Sequence, residues 1–111
     1  MDIVREKDGD VAVYRLAGRF DSNAAATAEA ELAIGADGGT IRVVMDLSGL
    51  DYISSAGLRV LLVVARKIQQ AAGKLALFGL KTEVRQVFAV SGFDTIISVQ
   101  PDAAAALAYV R

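Results

Sequence analysis

Cysteine and histidine are both missing from this chain of 111 residues. Without cysteine there is no disulfide and no thiol chemistry. Without histidine the usual zinc sites and the commonest general base are gone as well. Aromatic residues make up only 6% of the chain against a hydrophobic share of 54%. The core must therefore be aliphatic and rich in alanine. Neither sign of charge prevails, since 12 Lys and Arg against 13 Asp and Glu leave a net charge of −1. That balance makes no electrostatic case for nucleic acid or for an acidic membrane surface. Long apolar runs are absent too. The densest, Val60 to Ala65, is far too short to span a bilayer. The opening MDIVREKDGD lacks the apolar centre of a signal peptide. These gaps lead us to expect a cytoplasmic protein, with residues 1–111 forming one domain.

What is present alternates between strand and helix patterns. Asp2 to Lys7 and Val11 to Leu16 read as strands around the turn signal Asp8-Gly9-Asp10, which suggests an antiparallel hairpin. Asp21 and Ser22 are candidate N-caps for an alanine-rich helix from Asn23 to Ile34. Gly35 to Thr40 reads as a loop. Ile41 to Leu47 is a near-continuous apolar run suited to the middle of a parallel sheet. A short polar loop then leads into a helix from Ser55 to Ala72, with Gly73 as its left-handed terminator. Leu58, Leu61, Leu62, Ala65, Ile68 and Ala72 share one stripe of that helix, and Arg59, Arg66 and Gln70 lie opposite. Leu75 to Phe78 reads as a strand, Thr82 as the cap of a helix to Val90 ended by Ser91-Gly92, and Thr95 to Val99 as a strand. Pro101, the single proline, suits the first turn of a last helix to Val110. The expected fold is α/β, in the order β-β-α-β-α-β-α-β-α, with about five strands in a mixed, mostly parallel sheet and about four helices.

The stretch Asp46 to Leu62, DLSGLDYISSAGLRVLL, organises the rest. It carries the chain from a buried strand through Ser54 and Ser55 to a helix start. Free N–H groups and the helix dipole favour negative charge at such a place, and a hydroxyl there is well sited to carry a phosphate. Five pieces in order, GRFD from Gly18, VVMDLSGL from Val43, YISSAGLRVLL from Tyr52, LALFGL from Leu75 and VRQVFAVSGFDTIISV from Val84, make the sequence resemble the STAS domain family. Within it, the resemblance is to bacterial anti-sigma factor antagonists, also called anti-anti-sigma factors.

The resemblance implies a binding module and no enzyme. It implies partner switching: the unmodified antagonist binds a partner that is both serine kinase, of the histidine-kinase-like ATPase type, and anti-sigma factor. Phosphorylation at the start of the second helix releases that partner, and a serine phosphatase reverses the modification. The phosphoacceptor position falls on Ser55, with Ser54 as the minor alternative and the better N-cap. The family's turn aspartate falls on Asp21. Partner contact is expected at Asp21, Ser54, Ser55, Gly57 and Arg59. Many antagonists carry aspartate where this chain has Ser54, and serine or threonine where it has Ala56.

Blander roles stand beside these. Ser55 can be a helix-start serine with no chemistry, and Asp21 simply an N-cap. Arg59, four residues after Ser55 and so on its helix face, can be solvated, or can contact a phosphate or a partner carboxylate. Gly57 suits close approach, either of the neighbouring loop or of a partner's backbone. Asp46 is expected as a hydrogen-bonded carboxylate at a buried strand end, with too few oxygen ligands nearby for a metal. Gly38-Gly39 lacks the Lys-Ser/Thr of a phosphate-binding loop, and no cofactor is expected. The competing function is a scaffold STAS subunit of a stress-signalling or transporter complex that is never phosphorylated. A monomer is expected, with a weak dimer as the alternative.

Overall fold

Five strands hydrogen-bond in sequential order, β1-β2-β3-β4-β5, in a computed structural model that describes residues 1–32 and 41–111. The first pair, β1 (Asp2–Asp8) and β2 (Val11–Phe20), is an antiparallel hairpin, as the turn signal at Asp8-Gly9-Asp10 implies. From β2 onward, β3 (Arg42–Ile53), β4 (Lys74–Phe78) and β5 (Ser98–Gln100) pair in parallel. The crossovers are α1 (Ser22–Glu31), α2 (Ser55–Gln70) and α3 (Thr82–Ser91), and α4 (Ala103–Val110) closes the chain. The expected element order and the mixed sheet are both found. The expected helix end at Ile34 and the loop Gly35 to Thr40 lie outside the described residues.

Alternation along the strands divides the core in two. Val43 and Met45 point to one face, with Leu16, Phe20 and Leu77, and pack under Leu58, Leu61, Val84 and Phe88 of α2 and α3. Val44 and Ala76 point to the other and pack with Val11 under Ala106 and Val110 of α4. Side chains of a strand alternate between faces, so each central strand can serve both layers only if both parities are apolar. The aliphatic run at Ile41 to Leu47 meets that condition.

The strands differ from expectation at their C-terminal ends. β2 runs on through Gly18-Arg19 to Phe20, and β3 runs six residues past Leu47 to Ile53, where polar residues suggested a turn and a loop. Leu47, Leu50 and Ile53 are all buried at a spacing of three, which breaks simple alternation. The β2–β3 register shifts between Arg15 and Ala17 and again between Gly18 and Arg19. Such irregularities reset which side chains face inward. Asp46 is consequently inside a strand, not at its end, and is only partly buried. It accepts a hydrogen bond from Ser48 N–H at 2.9 Å and lies 3.8 Å from the Arg15 guanidinium.

Helix ends bring further corrections. Lys81, not Thr82, is the N-cap of α3, and it caps without a side-chain hydrogen bond. Phe93–Thr95 form a 3₁₀ turn, and β5 begins only at Ser98. Pro101 precedes the last helix, whose N-cap is Asp102, accepting from Ala105 N–H at 2.9 Å. On α2, Val64 joins the core, whereas Leu62 is only half-buried and stands outside the core cluster. α2 ends at Gln70 with Ala71 as its C-cap, and Ala72, not Gly73, takes the left-handed conformation with φ 58°. Gly73 N–H donates to Ile68 C=O at 2.8 Å and Ala72 N–H to Gln69 C=O at 3.0 Å, which satisfies the last carbonyls. Gly73 is required for another reason: a Cβ there would stand 2.3 Å from the Ile41 carbonyl.

Two stability measurements test these assignments. Leu61→Ala is expected to cost about 2–5 kcal/mol in denaturant unfolding, and Leu62→Ala no more than about half of that because it is only half-buried. Equal losses would place the α2 register wrongly. Ala72→Gly should raise stability by about 0.5–1 kcal/mol, since it relieves left-handed strain at an exposed position and gives back part in chain entropy. A loss of stability in this variant would refute the helix-end geometry.

Candidate functional site

The C-terminal ends of β2 and β3 lie side by side, with Phe20 opposite Ile53 and Arg19 opposite Tyr52. Each strand is followed at once by a helix cap. Asp21 ends β2 and caps α1, its Oδ1 accepting from Ala24 N–H at 3.0 Å. Ser54 ends β3 and caps α2, its Oγ accepting from Gly57 N–H at 3.1 Å. Parallel pairing thus brings two helix N-termini to one sheet edge. Ser22, the other candidate cap, is the exposed first residue of α1.

A single carbonyl ties these ends together. Phe20 C=O accepts from Ser54 N–H at 2.9 Å and from the Ser54 hydroxyl at 3.0 Å. The Ser54 hydroxyl is therefore engaged on both sides, donating to Phe20 and accepting from Gly57. Gly57 is buried against the same residue. A Cβ at position 57 would stand 2.8 Å from the Phe20 carbonyl oxygen and 2.9 Å from its ring. Close approach is the role expected of Gly57, and the neighbour is the end of β2.

Ser55 takes no part in this linkage. It is exposed as the first residue of α2. Arg59 is exposed one turn along. Both line a groove between α1 and α2, together with Ala25, Glu29, Val60 and Val63. Of the five residues expected to meet a partner, Asp21, Ser54 and Gly57 form the frame of the site, while Ser55 and Arg59 form its accessible surface.

The sequence reading missed the side chains beside this frame. Arg19 stacks over the Tyr52 ring, its guanidinium carbon 4.3 Å from the ring centroid. Tyr52 stays 40% exposed, enough to offer an aromatic surface held in place by a cation–π contact. Next to it, Asp51 pairs with Lys81 at the start of α3. Arg19 and Tyr52 stood in two separate motifs, and only the β2–β3 register makes them neighbours. The α1 side of the groove was missed because an alanine-rich helix shows little apolar periodicity.

A mixed five-stranded sheet, helices on both faces and two capped helix starts at one edge describe a domain of the α/β class. The chain belongs to the STAS domain family, whose model, described as "STAS domain", matches residues 2–106. It is 46% identical over 108 residues to BtrV of Bordetella bronchiseptica, provisionally named an anti-sigma factor antagonist, covering 97% of this chain and 93% of that one. An anti-sigma-B factor antagonist of Listeria monocytogenes is 27% identical over 97 residues, covering 87% of this chain and 85% of that one. Among solved structures, an anti-sigma factor antagonist of Mycobacterium paratuberculosis superposes with a TM-score of 0.87 at 25% identity, covering 99% of this chain and 93% of that chain. The phosphorylated form of the Bacillus cell fate determinant SpoIIAA shares the fold, with a TM-score of 0.73 at 22% identity and coverage of 99% and 100%. No helix among the described residues is long and apolar enough to cross a membrane.

The different work of the two serines can be measured. Ser54→Ala removes a cap and should cost about 0.5–2 kcal/mol. Ser55→Ala should stay within about 0.5 kcal/mol, as exposed changes do. Gly57→Ala should cost about 1–3 kcal/mol by overpacking against Phe20, and shift the amide resonances of Phe20 and Ser54. An unaltered melting curve for both Ser54→Ala and Gly57→Ala would show that the linkage to Phe20 is not formed in solution.

Proposed function

We propose that this protein is an anti-sigma factor antagonist switched by phosphorylation of Ser55. One observation carries the reading: of two adjacent serines at the start of α2, Ser54 has its hydroxyl bound on both sides, and Ser55 is open to solvent. The names of the relatives support the class. In this reading the unmodified domain binds an anti-sigma factor that is also a serine kinase of the histidine-kinase-like ATPase type. That kinase transfers the terminal phosphoryl group of ATP to Ser55 Oγ, with ADP as the leaving product, and the complex separates. A serine phosphatase hydrolyses the phosphoester and restores binding. The cycle runs in the cytoplasm, where sigma factor meets polymerase. Asp21 and Ser54 hold the local frame, Gly57 lets α2 close on it, and Arg59 borders the acceptor.

The switch works by charge at the interface. Phosphate adds about −1.5 to −2 charges at neutral pH. On the surface of a helix start that charge is tolerated, favoured by about 0.3–1 kcal/mol. Under a partner it must be buried, which costs several kcal/mol unless cations match it. A weakening of roughly 10³-fold follows. The scaffold reading, a STAS subunit that is never modified, is the competing outcome of the test.

The experiment incubates the protein with candidate kinases and ATP, maps phosphate by mass spectrometry, and titrates both forms with the kinase. Phosphate is expected on Ser55, absent from Ser55→Ala, with binding of the unmodified variant retained. The phosphorylated domain should melt within a few degrees of the unmodified one. Phosphate on Ser54, or its persistence in Ser55→Ala, would overturn the assignment. No modification by any kinase that the protein binds would favour the scaffold.

A further inference from the structure

We propose that Arg59 is the internal receiver for a phosphate on Ser55, holding it in the groove between α1 and α2. The inference rests on the reading of Ser55 as phosphoacceptor and adds how the modified site is organised. Residues four apart on a helix stand roughly 5–6 Å apart at Cβ. Helical side chains also lean toward the N-terminus, so a long side chain at position 59 covers the turn that begins at Ser55. Both residues are exposed, and both line the same groove, about 590 Å³ in volume. Its floor on the α1 side includes Ala25 and Ala26, whose methyl groups leave room for a phosphate.

The charges point the same way. Arg59 forms no ion pair among the described residues. Its guanidinium is a planar fork whose parallel N–H groups match two phosphate oxygens. Glu29 is the charged group that α1 contributes to the groove. It repels a phosphate and so favours the position over α2, toward Arg59. Asp21, at the N-terminus of α1, already has its carboxylate engaged by Ala24 N–H. Modification would thus act twice. It adds negative charge, and it withdraws a guanidinium from the surface offered to a partner.

The test installs phosphoserine at position 55 during synthesis by an expanded genetic code, so that no kinase's choice of residue enters the result. The midpoint of the second phosphate ionisation is followed by phosphorus NMR over a pH titration. In the otherwise unchanged chain it should lie about half a unit below that of the Arg59→Gln variant, the size expected of an exposed charge pair. Arg59→Lys should fall between the two, and the gap should shrink in high salt. Glu29→Gln should lower the midpoint further. Equal midpoints in the parent and Arg59→Gln proteins overturn the proposal. So does a gap of the same size in Arg66→Gln, an exposed arginine further along α2, because that would reflect net charge alone. If the gap is found but cellular kinases modify another residue, the pairing stands and the functional reading falls.

Discussion

The carbonyl of Phe20 is the point on which the site depends. It takes two donors from Ser54, one from the backbone and one from the hydroxyl, and so joins the end of β2 to the start of α2. Each such bond contributes only about 0.5–1.5 kcal/mol net. Their geometric effect is larger than that figure. Phe20 is fully buried, so its carbonyl is held by the core and cannot swing away. Ser54 passes that fixed position on to Gly57 through its Oγ. The N-terminus of α2 is therefore located by packing inside the sheet, not by anything on the surface. Asp21 follows Phe20 directly, so the same anchor locates the start of α1.

On the proposed reading, a surface hydroxyl built on such a frame would change its charge without disturbing the fold. The residues that fix the site, Phe20, Ser54 and Gly57, are buried or half-buried, and the residue that would be modified is not among them. This separation suits a switch read by a partner better than one that works by rearrangement. The flanking surface is held in the same way. Arg19 lies across Tyr52, and Lys81 bridges from the start of α3 to Asp51 at the end of β3. Exposed pairs of this kind add little stability. They do limit the rotamers of side chains that a partner would meet, which lowers the ordering cost of association.

Alanine content shapes the groove beside Ser55. α1 is built as SNAAATAEAE and buries only Ala25 and Ala28. Methyl side chains let α1 approach α2 without filling the space above the contact. On α2, Val60 is buried while Val63 stays half-exposed at the groove wall. The low aromatic content thus reappears as a depression next to the helix start, with Glu29 on one wall and Arg59 on the other.

Element type and order were legible in the sequence because they rest on local signals. The turn at Asp8-Gly9-Asp10, the apolar run from Ile41 and the cap at Asp21 each act over a few residues, and each is found, as is the α2 stripe at Leu58, Leu61 and Ile68. Strand length past Leu47 was not legible. Asp46, Ser48 and Asp51 look like loop residues until β2 pairs alongside, and the shifted register that turns Leu50 and Ile53 inward exists only between two strands. The end of α2 and the cap of α3 were misplaced, that of α2 for a related reason. Gly73 is required by the Ile41 carbonyl across the sheet, which leaves Ala72 to take the left-handed turn. At the site, sequence alone drew attention to Ser54, Ser55, Asp21, Gly57 and Arg59. What separated a bonded Ser54 from an open Ser55 was the carbonyl of Phe20, 34 residues away along the chain. Hydrogen-bond partners at that separation are set by how the strands lie together, and no local pattern encodes them.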